Sequence, residues 1–104
     1  MIAAIKKLLG IGPKVDLAEV MSRGAVIVDV RTTGEYAGGH VRGSLNIPLD
    51  QLRNGMAKLK KDKPVITCCA SGMRSGSARG MLQSAGFSEV HNGGSWINLR
   101  KFEK

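Results

Sequence analysis

Two short runs constrain the fold of this chain more than any other feature. Ala25–Val30 is apolar throughout except for Asp29, and Val65-Ile66-Thr67-Cys68 follows the turn-forming Asp62-Lys63-Pro64. A strand with one wet face alternates apolar and polar residues, whereas a strand covered on both faces reads as a nearly unbroken apolar run. Both runs are therefore expected in a parallel sheet sandwiched between helices. The intervening segments agree. Asp16 stands at a helix N-cap with Glu19 three residues on, a capping-box pattern, and Leu17, Val20 and Met21 supply the apolar face before Gly24 stops the helix. Leu45-Asn46-Ile47 reads as a short strand stopped by Pro48, and Leu49–Lys60 as broadly helical with a break at Asn54-Gly55.

The second half repeats the alternation. A helix is expected over Ser75–Ala85, with Ala78, Met81, Leu82 and Ala85 at helical spacing. Gly86 suits its C-cap, and Phe87 can fold back on Leu82. Glu89-Val90-His91 reads as a strand, Gly93-Gly94 as a loop, and Trp96–Phe102 as a final helix. Strands alternating with helices place the chain in the α/β class with a mostly parallel sheet. Its 104 residues suffice for one domain. That domain is expected over 15–104, preceded by an N-terminal segment, 1–14, which has Ile2, Ile5, Leu8 and Leu9 on one face of a short helix. This segment lacks the order of charges and the cleavage site of a secretory signal, and no stretch reaches transmembrane length, so no membrane partner is expected.

In open parallel sheets, sites form beyond the carboxyl ends of the strands. The segment in that position is Cys69-Ala70-Ser71-Gly72-Met73-Arg74-Ser75, which starts with a thiol at a strand end and finishes at a helix start. Each part favours an anionic sulfur. A helix start presents unpaired N–H groups and the positive end of a dipole, and a thiolate held there has a depressed pKa. Arg74 adds a permanent charge, and Gly72 allows a turn tight enough for successive N–H groups to converge. Cys69, as the first loop residue, is the expected nucleophile. Cys68 should point to the packed side, since side chains alternate along a strand. A resolving role for Cys68 is the weaker alternative, because neighbouring cysteines bridge only with strain.

Two cysteines are no disulfide framework, so a reducing, cytoplasmic setting or a reactive thiol is expected. The cysteines with His91 lack known metal-ligand spacing, and no metal is expected. The net charge is +8, with Lys58, Lys60, Lys61 and Lys63 clustered. The cluster is either a solvated helix end and loop or an attraction for anions, small substrates or an acidic protein partner. A nucleic-acid partner is not expected, because no binding motif or aromatic interleaving accompanies these lysines.

Two stretches together resemble the rhodanese family. Asp29-Val30-Arg31, then Glu35-Tyr36, then Gly39-His40-Val41-Arg42-Gly43-Ser44-Leu45-Asn46-Ile47-Pro48 is similar to its first signature, D-x-R, E-[FY], G-H-[IV]-x-G-[AS]-x-[NH]-[IV]-P. Cys69–Ser75 is similar to the active loop C-x-x-G-x-R-S, and Gly93-Gly94 with Trp96 resembles a late glycine pair and tryptophan. The resemblance spans about Asp16 to Phe102 and implies a three-layer sandwich around a central five-stranded, mostly parallel sheet. It implies Cys69 as catalytic residue and the loop Ala70, Ser71, Gly72, Met73, Arg74 and Ser75 as substrate-binding. It further implies transfer of sulfane sulfur from a small anionic donor such as thiosulfate to cyanide or a thiol, by double displacement through a Cys69 persulfide, with no cofactor. Four residues separate Cys69 from Arg74. The resemblance links that length to sulfurtransferases, whereas the related phosphatases and arsenate reductases carry one residue more. Asp29 and His40 read as structural, Arg31 as equally suited to pocket or anchor, and Trp96 as core with an exposed edge. A monomer with an open site is expected.

Overall fold

The computed structural model describes residues 15–104; the expected N-terminal helix lies outside them. Asp16 caps α1 (Leu17–Ser22) by accepting from the N–H groups of Ala18 and Glu19 at 3.0 and 3.3 Å. The reciprocal half of the capping box is absent: Glu19 instead pairs with Arg23 one turn on, at 2.7 Å. The chain continues through β1 (Val26–Asp29), α2 (Thr33–Ala37) and β2 (Leu45–Asn46). A 3-10 turn at Leu49–Gln51, α3 (Leu52–Gly55) and a second 3-10 turn at Met56–Lys58 follow, so the expected helix is broken into three pieces. Then come β3 (Val65–Cys69), α4 (Met73–Ser84), β4 (Val90–Ser95) and a 3-10 helix at Trp96–Phe102.

Among the described residues the sheet has four strands, not five, in the order β2-β1-β3-β4, and every pairing is parallel. Alternation along β1 and β3 divides the interior into two layers. Val28, Val30, Val65 and Cys69 face Leu52, Ala78, Leu82 and Phe87, the layer of α3 and α4. Ile27, Ile66 and Cys68 face Val20, Val41 and Leu99, the layer of α1 and the final 3-10 helix. The two apolar runs are thus covered on both faces, as their composition requires. Each fully buried aliphatic side chain contributes about 1.5–3 kcal/mol, which makes these two layers the main source of stability.

Three boundaries differ from the sequence reading. Cys69 closes β3 rather than opening the loop, and α4 begins two residues earlier than expected, at Met73. Gly93-Gly94 is not a loop but part of β4, where Thr67 pairs with Asn92 and Cys69 with Ser95, an offset that takes up one extra residue on β4. Glycine is required at the bulge. A Cβ on Gly93 would lie 2.8 Å from Ile66 Cγ2, 2.9 Å from Leu99 Cδ1 and 2.9 Å from the Thr67 carbonyl oxygen.

Candidate active site

The segment from Cys69 to Ser75 turns from the end of β3 into α4. Gly72 makes the turn at φ +104° and serves as the helix N-cap; it lies so close to β4 that a Cβ would meet Gly94 Cα at 3.5 Å. The first N–H groups of α4 are thereby folded back over the sulfur of Cys69. The Gly72 N–H donates to Sγ at 3.0 Å and the Ser75 N–H at 3.4 Å, with the Ser75 hydroxyl also 3.4 Å away. The Cys69 thiol is lowered to about 7. Burial is the largest single influence and opposes ionisation, but the Ser75 hydroxyl and the N–H groups of Ser75, Gly72 and Ser71 together outweigh it.

Cys68 is the opposite case. It lies on the other face of β3 among Val20, Ile27, Ile66 and Leu99. Burial, assisted by the negative charge of Asp29, pushes its thiol up to about 12. Adjacent cysteines in one strand therefore differ in ionisation because alternation sends one to a helix N-terminus and the other to an apolar layer. Cys69 itself is buried, so the site is not open. Ala70, Ser71 and Met73 are exposed above it, Met73 at 82 %.

Arg74 does not bond the sulfur. Its guanidinium grips both carboxylate oxygens of Glu35 at 2.7 and 3.0 Å, a partnership that no local pattern announced. Glu35 is held well below the ordinary carboxylate range, to about 2, first by Arg74 and then by the Thr32 N–H. Thr32 and Glu35 cap α2 reciprocally, so Arg74 is tied to a rigid helix start.

The second missed residue is Asn92. Its side chain bonds Ser75, Gly72 and Gly94 together, and its place directly before the glycine pair was the only available signal. Beneath the loop, the Thr67 hydroxyl donates to the Ser75 carbonyl at 2.8 Å.

Arg31 is an anchor, not a pocket residue. It is buried, bonded to the Asp29 carboxylate at 2.7 Å, to the Gly39 carbonyl at 2.7 Å, and stacked over the Trp96 ring at 4.6 Å. His40 is structural: its Nδ1 bonds the Tyr36 carbonyl at 2.7 Å and its ring stacks on the Tyr36 ring at 3.8 Å. His91 bonds Glu89 at 2.7 Å. Among the described residues no cluster of His, Cys, Asp and Glu has the makings of a metal site. Lys58, Lys60, Lys61 and Lys63 are exposed, but they precede the start of β3, whereas Cys69 ends it. A five-residue strand separates the two ends by roughly 13 Å, so the lysines form a surface apart from the sulfur. No helix among the described residues is long and apolar enough to cross a membrane.

Comparison with known proteins agrees with this geometry. The family model described as "Rhodanese-like domain" matches residues 14–95. Over 70 residues the chain is 41% identical to the Bacillus subtilis protein "Uncharacterized protein YqhL", covering 67% of this chain and 56% of the relative. Over 74 residues it is 38% identical to "Thiosulfate sulfurtransferase GlpE" of Ectopseudomonas mendocina, covering 71% of this chain and 68% of the relative. The matched stretch thus spans about half to two thirds of the length of these relatives. Among solved structures, "rhodanese with anions from E. coli" superposes with a TM-score of 0.64 at 33% identity, covering 71% of this chain and 89% of that one. "Human Single Domain Sulfurtranferase TSTD1" gives 0.71 at 27% identity, covering 89% and 99%. With a parallel sheet between two helical layers and a cysteine loop closing on a helix start, the chain belongs to the rhodanese-like domain family.

Proposed function

We propose that this protein is a sulfurtransferase that carries sulfane sulfur as a persulfide on Cys69. One observation carries the reading: Cys69 Sγ sits under the N-terminus of α4, accepts the Gly72 N–H at 3.0 Å, and has its pKa lowered to about 7. A sulfur so placed is available as a thiolate near neutral pH and is stabilised in either anionic form it would take.

The cycle consists of two displacements at sulfur. The Cys69 thiolate attacks the outer sulfur of a donor such as thiosulfate. A bond forms between the two sulfurs, the donor's own S–S bond breaks, and sulfite leaves with that electron pair. The terminal sulfur of the resulting persulfide is then attacked by a thiolate or by cyanide. The new persulfide or thiocyanate departs, and Cys69 regains its electron pair as a thiolate. Neither step needs an oxidant, a reductant, a metal or an organic cofactor. The loop N–H groups hold the sulfur, and the Ala70–Met73 roof must part to admit the donor. The relative GlpE, named a thiosulfate sulfurtransferase, and the four-residue spacing from Cys69 to Arg74 support this chemistry over phosphate transfer. The protein acts as a monomer in the cytoplasm on small anionic donors, and the exposed lysines Lys58–Lys63 are the surface for an acidic protein partner.

Intact-protein mass spectrometry before and after incubation with thiosulfate tests the reading. Gain of one sulfur atom by the wild type and Cys68→Ala, and none by Cys69→Ser, is the expected result. Equal gain by Cys69→Ser overturns it. No gain by any form, with thiosulfate or with a persulfide donor, points instead to a binding module.

A further inference from the structure

The hydrogen atoms around Cys69 do not suffice for every bond that the geometry offers. Asn92 lies on β4 opposite Thr67, beside the active loop. Its side chain meets three partners: the Gly94 N–H at 2.9 Å, the Gly72 carbonyl at 3.1 Å and the Ser75 hydroxyl at 2.6 Å. Two of these are backbone groups with fixed roles. The Gly94 N–H can only donate, so it faces Oδ1; the Gly72 carbonyl can only accept, so it faces Nδ2. The oxygen of the amide is therefore the atom that Ser75 meets, and Ser75 must donate to it.

A serine hydroxyl has one hydrogen. With that hydrogen on Asn92, Ser75 Oγ can meet Cys69 Sγ, 3.4 Å away, only as an acceptor from S–H. This arrangement fits the thiol. A thiolate has no hydrogen to give and is best served by the Ser75 hydroxyl turned towards it, which breaks the bond to Asn92. We infer that Asn92 is a positioning residue that sets the ionisation of Cys69 by competing with its sulfur for the single Ser75 hydroxyl hydrogen. In the thiol form, hydrogen bonds run from sulfur to Ser75 to Asn92. In the thiolate form, Ser75 points back to the sulfur and Asn92 keeps only its two backbone partners. Asn92 thus shapes the loop through Gly72 while holding the thiolate in check.

The charged groups bearing on the sulfur come from each neighbouring element. Arg74 on α4 is paired with Glu35 on α2, and Asp29 on β1 with Arg31 just beyond it; Cys68 on β3 faces the other layer and stays a thiol, and from β4 His91 is bound to Glu89. None of their side chains is hydrogen-bonded to the Ser75 hydroxyl, whose partners are Cys69 and Asn92, so the Asn92 effect is separable from theirs. The inference rests on Cys69 being the reactive thiol, but not on sulfur transfer.

The test is the pH dependence of Cys69 alkylation by iodoacetamide, followed by intact mass in a common Cys68→Ala background. Four proteins are compared: the parent, Asn92→Ala, Ser75→Ala and the double variant. Asn92→Ala should lower the alkylation midpoint by about half to one pH unit, because it frees one neutral hydrogen bond for the thiolate. Ser75→Ala should raise it, and adding Asn92→Ala to Ser75→Ala should move it by less than half as much as Asn92→Ala moves the parent. A midpoint unmoved or raised by Asn92→Ala, or the same shift with and without Ser75, overturns the inference, since a purely structural role acts alike in both backgrounds. If Asn92→Ala fails to fold, Asn92→Asp keeps an oxygen for Ser75 and Gly94. It should raise the midpoint, and by less than half as much once Ser75 is removed; an equal rise in both backgrounds overturns the inference. Failure to load sulfur from thiosulfate alongside the expected midpoints would sink the sulfurtransferase reading and leave this one standing.

Discussion

The Arg74 guanidinium is clasped by the two carboxylate oxygens of Glu35, at 2.7 and 3.0 Å. The loop's one permanent positive charge is thus committed before any substrate arrives. Bidentate pairing fixes the orientation of the guanidinium plane as well as its charge. An incoming anion meets an arginine already positioned, and also already half neutralised.

Glu35→Gln removes the opposing charge yet keeps an oxygen for the Thr32 N–H. The freed Arg74 should then draw anions more strongly. KM for thiosulfate in a steady-state sulfur-transfer assay should fall by about two- to fivefold, in line with the modest worth of exposed ion pairs. A rise in KM would show that orientation by Glu35 outweighs its charge.

Cys69 and Cys68 should separate cleanly by pH. Iodoacetamide should modify Cys69 with a midpoint at about pH 7, while Cys68, pushed up to about 12, stays unmodified in the folded protein. Because the folded-state pKa of Cys69 lies below that of the unfolded chain, its ionisation adds stability above the unfolded value of 9.0, and that contribution fades as pH falls through 7. Fragmentation spectra of the alkylated peptide, taken across pH 5 to 10, check both sites.

Asp29→Asn breaks a buried ion pair and leaves the Arg31 guanidinium, stacked over Trp96, without its counter-charge. A loss of about 3–5 kcal/mol in urea unfolding is expected, typical of removing one partner from a buried pair. Asp29→Asn with Arg31→Met should recover part of it.

Gly93→Ala places a methyl group within 3 Å of Ile66, Leu99 and the Thr67 carbonyl. Overpacking of this kind costs about 1–3 kcal/mol. The lowered Tm should be accompanied by a lowered Cys69 alkylation midpoint, because the same bulge positions Asn92, which competes with the sulfur for the Ser75 hydroxyl hydrogen.

Much of the fold was legible because it is written locally. Asp16, Gly24 and Gly86 mark helix ends by their own side chain or backbone freedom, and Phe87 returns to Leu82 as its position after Gly86 suggests, with its N–H on the Leu82 carbonyl at 3.1 Å. The shape of the candidate loop was legible for the same reason: thiol, glycine and helix start lie within seven residues. What stayed hidden depends on partners distant in sequence. Glu35 and Arg74 are 39 residues apart, and Asn92 and Ser75 are 17 apart. Their meeting is set by strand order and register, which no periodicity encodes. The glycine pair misled for a related reason. Two glycines usually signal a turn, but here the need for close approach to Ile66 and Leu99 puts them inside a strand.

The two thiols sit back to back on consecutive residues of β3, with a different layer of the protein around each. That partition has a consequence for cargo. The chain has two cysteines, and the one beside Cys69 faces away from it. Under the proposed function, sulfur loaded on Cys69 cannot be expelled as hydrogen sulfide by Cys68, which faces the other layer and cannot close a disulfide behind it. On that reading the load waits for an acceptor from outside this domain, and the domain works as a courier rather than as a switch that resets itself.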